Sequence, residues 1–211
     1  MKKLIIAEKP SLAKNVKNAL SASDKFATME YKNKGGKESA SKLLFSSDSK
    51  AERKSIFYEN SKYVITYAYG HLFDNGTLDD YLPEGVNGWS LDNLPVFPAA
   101  FKLIISDNEG VKKQFALIKY LLSRSDISEV VHCGDADREG ELIIRNILNS
   151  AGNSKPVMRL WLPEQTAPTI IAAMNSLKPD SDYDLLAAEG EARTYMDWLF
   201  GFNYSRYSWC Y

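Results

Sequence analysis

The sequence is poor in the features that announce secreted or membrane proteins. Its 211 residues include two cysteines, Cys133 and Cys210, too few for a disulfide framework and without zinc-finger spacing, so a reducing cytoplasm is the expected compartment. No apolar run approaches the ~18 residues of a membrane-spanning helix. The first apolar run, Leu4 to Ala7, stops at Glu8 and is too short for the core of a signal peptide. Net charge is −1, from 26 basic and 27 acidic side chains, so no overall excess of one sign identifies or excludes a polyanionic partner. The composition, 45% hydrophobic and 25% charged, fits one sizeable globular domain, alone or with a smaller addition. The basic residues are unevenly placed. Lys2, Lys3, Lys9, Lys14 and Lys17 crowd the start against Glu8, a spacing compatible with a local phosphate-facing patch there.

What the sequence does have is concentrated at 130–140, V-V-H-C-G-D-A-D-R-E-G. Asp135, Asp137 and Glu139 occupy alternate positions there, directly after a strand-like run and directly before a helix-like one. Three carboxylates this close repel one another when ionised, and a divalent cation among them removes that penalty. An all-oxygen donor set suits Mg2+, which keeps several waters and commonly touches substrate phosphate, so the cluster points to phosphate chemistry. D-x-D-x-E-G also matches the start of a calcium-binding EF-hand loop. Its twelfth position is Asn146 rather than Glu, however, and a strand rather than a helix precedes it.

Elsewhere the pattern predicts alternating strands and helices. Leu4 to Ala7 reads as a buried strand, and Ser11 as the N-cap of a helix carrying Leu12, Val16, Ala19 and Leu20. Residues 21–55 are rich in Lys, Ser and Gly around Lys34-Gly35-Gly36-Lys37 and read as a long mobile loop, a flexible insertion over about 24–55. Runs at 56–59 and 63–69 around Asn60-Ser61 predict a hairpin. Apolar residues at 111, 115, 118, 121 and 122 have a helical period, 127–133 and 156–162 read as strands, and 141–148 and 169–177 as helices. The alternation predicts an α/β fold, a mostly parallel Rossmann-like sheet flanked by helices, over residues 1–178. Lys178-Pro179-Asp180-Ser181-Asp182 reads as a boundary and 185–200 as a further helix. The abrupt stop at Tyr211 reads as the end of a fragment, so 179–211 is expected to begin a second, truncated domain. In open α/β sheets ligands bind beyond the carboxyl ends of the strands. Glu8 and Asp135 both follow strands, and if those strands are neighbours the two acids share a cleft with Lys9. There they would be placed for acid–base work and for neutralising phosphate.

The segments I-A-E-K-P-S-L-A, G-D-A-D-R-E-G-E and A-R-T-Y-M-D-W-L-F-G-F-N-Y-S-R resemble the N-terminal part of the type IA DNA topoisomerases, topoisomerase III above all. V-K-K-Q-F-A-L-I-K-Y-L-L, G-H-L and G-W-S-L-D-N-L-P between them are similar to the same family. D-x-D-R-E-G alone indicates the wider Toprim superfamily, shared with bacterial primases and some nucleases, whereas E-K-P-S and D-W-L-x-G point to the topoisomerase branch. The resemblance implies a Toprim domain in a monomeric enzyme that relaxes or decatenates DNA by Mg2+-dependent single-strand cleavage, strand passage and religation. It implies Glu8 as the acid that protonates the leaving 3′ oxygen, Lys9 as the clamp on the scissile phosphate, and Asp135, Asp137 and Glu139, with Glu8, as the Mg2+ site. Lys9, Trp89, Arg138, Arg193, Trp198 and Arg206 would contact single-stranded DNA. The family's nucleophile is a tyrosine in a later domain, close to threonine and arginine, and no such motif occurs here. Tyr207 and Tyr211 follow the D-W-L helix too closely. The chain alone is therefore expected to be inactive, with the remaining domains of the same polypeptide as its partners.

Two other classes stay open: a primase- or nuclease-type Toprim protein, which would lack the D-W-L helix, and a Mg2+-dependent nucleic-acid-binding module without catalysis of its own. Ordinary structural roles compete at single positions. Trp89 and Trp198 fill cores as readily as they stack on bases. Arg193 has Glu189 one turn earlier. His71 is a loop residue suited to hydrogen bonding, and Cys133, at the end of a buried strand, is expected to be an inert thiol.

Overall fold

The computed structural model describes residues 1–22, 24–43 and 55–210. Among them, β1 (Lys2–Ala7), β2 (Ala27–Lys34), β3 (Lys37–Lys42), β4 (Ile56–Glu59), β5 (Tyr63–Tyr67), β8 (Ile127–Cys133), β9 (Val157–Arg159) and β10 (Lys178–Pro179) form one sheet. Its order is β10-β9-β8-β1-β5-β4-β2-β3. The centre, β9-β8-β1-β5, is parallel, while β4, β2, β3 and β10 add antiparallel margins. β6 (Phe73–Asp74) and β7 (Ile104–Ile105) make a separate short ribbon.

The period-2 geometry of the central strands explains the two-sided core. Leu4 and Ile6 of β1 and Val130 of β8 face α2 (Glu109–Ser123) and α3 (Arg138–Ser150), where they meet Leu117, Ile118, Leu121, Ile143, Ile144 and Ile147. Ile5, Ala7, Val131 and Cys133 face the other way, toward Leu12 and Val16 of α1 (Pro10–Leu20) and Ile170 of α4 (Ala167–Met174). Each fully buried aliphatic side chain of this kind contributes roughly 1.5–3 kcal/mol of transfer free energy. The result is the expected α/β layering, with the parallel centre of the sheet covered by helices.

The long α5 (Asp184–Cys210) continues from a single 3-10 turn at Asp180–Tyr183. Trp198 anchors it in a third cluster with Leu78 and Val96, bordered by Tyr81, Phe101 and Phe202. No helix among the described residues is long and apolar enough to cross a membrane.

Three departures from the sequence reading bear on the account below. The Lys-, Ser- and Gly-rich stretch read as loop forms the β2–β3 hairpin over part of its length, because Tyr31, Met29 and Ala40 give it an apolar face that packs on the core. Residues 44–54 of that stretch lie outside the described residues. Helix α1 begins at Pro10, one residue before the expected cap, with Lys9 at the N-cap and no side-chain capping bond. Proline suits the first helical turn, since its missing N–H needs no partner there. Helix α5 runs ten residues past the predicted end at 200, with no proline to stop it.

Candidate active site

Strands β1 and β8 are parallel neighbours with Ala7 paired to Cys133, so their carboxyl ends deliver Glu8 and Gly134 side by side. The Glu8 N–H extends the ladder to the Cys133 carbonyl at 3.1 Å. From Gly134 the chain turns into α3, and Asp137 caps that helix by accepting the Gly140 N–H on Oδ1 at 2.7 Å. The turn is closed by glycine. A Cβ on Gly134 would stand 2.2 Å from the Gly140 carbonyl oxygen, and one on Gly140 would stand 2.5 Å from the Asp135 nitrogen and 2.8 Å from Glu8 Oε2. Any side chain at either position would push the acidic loop off Glu8.

Inside this turn the groups are coupled. The Asp135 N–H donates to Glu8 Oε2 at 2.9 Å, and the Lys9 ammonium donates to Asp135 Oδ2 at 2.5 Å. Burial raises the Glu8 carboxyl above the ordinary glutamate range. The charges of Asp135 and Asp137 add to the rise, which the Asp135 N–H and Lys9 only partly offset. Lys9 is raised in turn, chiefly by its hydrogen bond to Asp135. Glu8 is thus suited to hold a proton, and Lys9, 42% exposed, to present a positive charge at the mouth of the turn.

The donor set is compatible with a hard cation at one point above all: Asp135 Oδ1 is buried and has no hydrogen-bond partner. The carboxylates do not, however, converge. Asp137 has turned one oxygen to cap α3, and Glu139 is 70% exposed and lies 3.9 Å from His71 Nδ1. Among the described residues, the three whose ligand atoms lie within 4.8 Å of one another are His132, Glu141 and Asp180, a set the sequence did not single out. That cluster is already neutralised. Glu141 pairs with Arg145 at 2.8 Å and Arg159 at 2.7 Å, while Asp180 pairs with Arg145 at 3.1 Å and accepts from His132 Nδ1 at 2.8 Å. Burial lowers the His132 pKa, and Arg145 and Arg159 occupy the carboxylates, so in this structure the cluster is tied together as an ion-pair network.

That network supports the site from beneath. Arg159 is 1% exposed and donates to the carbonyls of Gly134 at 2.9 Å and Asp135 at 2.7 Å while holding Glu141. Its planar fork therefore fixes the backbone on which Asp135 sits. The sequence reading missed Arg159, Glu141 and His132 as members of the site. The available signal was a charged or polar residue within an apolar, core-directed run: Arg159 in V-M-R-L-W-L, His132 in V-V-H-C, and Glu141 in E-L-I-I. Cys133 is fully buried and its thiol is pushed up to about 12, which matches an inert role.

The remaining expected contacts are scattered. Arg138 is 43% exposed and pairs with Glu189 at 2.9 Å, and Arg193 pairs with Asp197 at 3.2 Å, one turn later rather than with Glu189 one turn earlier. Trp198 is 6% exposed and its indole N–H donates to the Gly76 carbonyl at 2.8 Å. It is a core residue because its ring is enclosed by Tyr81, Phe101 and Phe202, and it does not present a face to a polynucleotide. Arg206 is 8% exposed, its guanidinium lies 3.4 Å from the Trp89 ring centroid, and its Nη1 is buried without a partner. Trp89 remains 49% exposed.

The chain is similar to known proteins over nearly its whole length. A family model described as Toprim domain matches residues 3–164. DNA topoisomerase 3 of Staphylococcus aureus strain USA300 is 32% identical over 206 residues, covering 98% of this chain and 25% of that protein. The protein of the same name from Staphylococcus epidermidis strain ATCC 12228 matches with the same identity and coverage. Among solved structures, full-length topoisomerase I from Thermotoga maritima aligns over 83% of this chain and 21% of its own, with 19% identity and a TM-score of 0.41. The chain spans about a quarter of the length of the curated relatives it matches.

Proposed function

Since the chain belongs to the Toprim domain family, we propose that it is the N-terminal part of a topoisomerase III-like type IA DNA topoisomerase, acting in the cytoplasm on single-stranded DNA. The observation that carries this reading is the Glu8–Asp135–Lys9 unit at the carboxyl ends of β1 and β8. It combines a carboxyl group raised toward proton retention, a cation, and an unpartnered buried carboxylate oxygen at one point. The 32% identity to DNA topoisomerase 3 across 98% of the chain supports the choice within the family.

In this mechanism a tyrosine from another part of the polypeptide, its phenolic proton released to solvent and regained on religation, attacks the scissile phosphorus. The phosphotyrosyl ester forms as the P–O3′ bond breaks, and Glu8 passes its proton to the departing 3′ oxygen. On religation the same carboxylate takes the proton back from the 3′ hydroxyl. Lys9 holds a non-bridging phosphate oxygen, with Asp135 fixing the position of its ammonium. Arg159 and the Gly134–Gly140 contact keep the loop in place through both steps. Bound Mg2+ would offset phosphate charge; Asp135 would hold it, and Asp137, Glu139 and Glu8 would serve as further ligands only by turning their carboxylates from the positions described above. Lys9, Arg138, Arg193 and Trp89 are the proposed DNA contacts. Trp198 and Arg206 instead fix α5 and the loop that bears Trp89.

The domain boundary near 178 and the covering of α5 by further polypeptide belong to the same proposal. Met196, Phe200 and Tyr204 succeed one another at four-residue steps on α5 and are 70%, 71% and 59% exposed. Tyr204 and Phe200 also border an apolar cavity of about 480 Å³ with Leu91, Leu94 and Pro95. The test is plasmid relaxation by the complete polypeptide and by its Asp135→Asn/Asp137→Asn variant, beside the 211-residue chain. Mg2+-dependent relaxation by the first alone supports the reading. A covalent DNA adduct formed by the 211-residue chain, or full relaxation by the double variant, contradicts it.

A further inference from the structure

The β2–β3 hairpin carries a charged face that the acidic site does not use. Its two-residue turn, Gly35-Gly36, has φ of 58° and 83°, the left-handed values a tight hairpin turn requires. The pairing places Glu30 opposite Ser41, Lys32 opposite Ser39 and Lys34 opposite Lys37. Met29, Tyr31 and Ala40, on the alternate positions, point into the core, so Lys32, Lys34 and Lys37 share the outward face and are exposed. Lys17 extends the row. Its ammonium lies 4.7 Å from the centroid of the Tyr58 ring, and Tyr58 pairs with Thr28, which is on the same face of β2 as Lys32 and Lys34. From Thr28 to Lys34 the strand advances roughly 20 Å.

Two lysines placed directly opposite each other on a ladder repel and cost stability. Shielding an edge strand from pairing with another chain requires charge on the edge, but not two facing lysines. The Glu30 carboxylate, 3.3 Å from Lys32 and only 14% exposed, partners one end of the row; such a pair, with Lys32 half exposed, is weak in water. The whole chain carries a net charge of −1, so the row is a local feature and not part of a general basic excess.

We propose that this face is a second nucleic-acid contact, binding the sugar-phosphate backbone of duplex DNA that flanks the single strand engaged at the acidic turn. The choice of DNA as the polymer rests on the topoisomerase-type reading, whereas the location of the contact does not. Between Glu30 and Ser41 the face offers lysine, serine and one glutamate and no aromatic ring, so it has no platform on which unpaired bases would stack. A contact made by charge alone reads no sequence and fits paired strands whose bases are turned inward.

The test is binding of the 211-residue chain to a labelled duplex of roughly 30 base pairs, without Mg2+, between about 50 and 200 mM salt. Lys32→Gln/Lys34→Gln/Lys37→Gln is expected to weaken duplex binding at least tenfold at the lowest salt and to flatten the slope of log K against log salt by roughly 0.9 per lost contact. A single strand of equal length should lose less, and the triple arginine variant should retain duplex binding. Lys178→Gln, an exposed lysine on β10 at the opposite edge of the sheet, should leave the duplex slope unchanged, which separates this surface from the chain's other lysines. Absence of duplex binding by the wild-type chain, an unchanged slope in the triple glutamine variant with its circular dichroism intact, or equal losses on both DNA forms would overturn the proposal.

Discussion

Glu8 accepts the backbone N–H of Asp135 at 2.9 Å, which joins the end of β1 to the first acid after β8. The same carboxyl group is raised in pKa because burial and the neighbouring acids disfavour its charge. A proton on Glu8 is therefore stabilised by folding, and four further consequences can be measured.

The first is the pH dependence of Glu8→Gln. A group whose pKa is raised in the folded state stabilises the fold below its unfolded pKa and loses that contribution as pH rises through the folded value. Glutamine keeps the acceptor for Asp135 without the charge. The variant should melt at or above the wild-type temperature at pH 7, and the difference should shrink toward pH 4. Thermal scans across that range check this, and a variant that is less stable at pH 7 and catches up at low pH contradicts it.

Mg2+ should stabilise the folded chain through Asp135, whose Oδ1 is buried and unpartnered. At ten times its dissociation constant a ligand specific to the native state adds ~1.4 kcal/mol, a rise of roughly 3–6 °C in melting temperature for a domain of this size. Asp135→Asn should lose most of that rise. An equal shift in both proteins would place the ion elsewhere.

Arg159 is predicted to be one of the most sensitive residues in the chain. Its removal leaves Glu141, 0% exposed, with only Arg145 as a charged partner and releases the Gly134 and Asp135 carbonyls. Arg159→Met should cost about 3–5 kcal/mol in urea unfolding, the usual loss when one side of a buried ion pair is deleted. Arg159→Lys, which keeps the charge but not the fork, should fall between. A loss below about 1 kcal/mol for the methionine variant would show that the network does not hold the loop.

Acid should destabilise the fold through His132. Its pKa is lowered by burial, so it favours folding above the ordinary histidine range and that contribution is lost as pH falls. Asp180, lowered in the balance between burial and the His132 hydrogen bond, has the same sign at lower pH. His132→Asn should flatten the fall in stability between about pH 7 and pH 5, and identical slopes would remove His132 from this role.

The parts of the fold that were legible in the sequence were those set by local pattern. Strand β8 was delimited by its apolar run, and the positions of Glu8 and Asp135 after two strands gave a shared cleft on the condition that those strands were neighbours, which the parallel pairing of β1 with β8 meets. What was illegible depended on distant partners. Residues 32–34 pair with 37–39 across the Gly35-Gly36 turn, a local hairpin signal inside a stretch read as loop, whereas the pairing of residues 27–30 with β4 and the seating of Tyr31 by Tyr120 are made across the fold. Trp198 looked equally fit for DNA and for a core until Leu78, Val96 and the Gly76 carbonyl enclosed it. The alternation of Asp135, Asp137 and Glu139 suggested convergence, yet the entry into α3 turns Asp137 to its cap and Glu139 to solvent.

The most direct measurement is single-turnover cleavage of a labelled single strand by the complete polypeptide carrying Glu8→Gln, alongside its affinity for the same strand. A positioned general acid contributes roughly 10²- to 10⁴-fold. Cleavage should therefore fall by at least about 100-fold while binding stays within about twofold of wild type. Cleavage at the wild-type rate with Mg2+ present would contradict the assignment of Glu8 as the proton donor and leave its bond to Asp135 with a structural role alone.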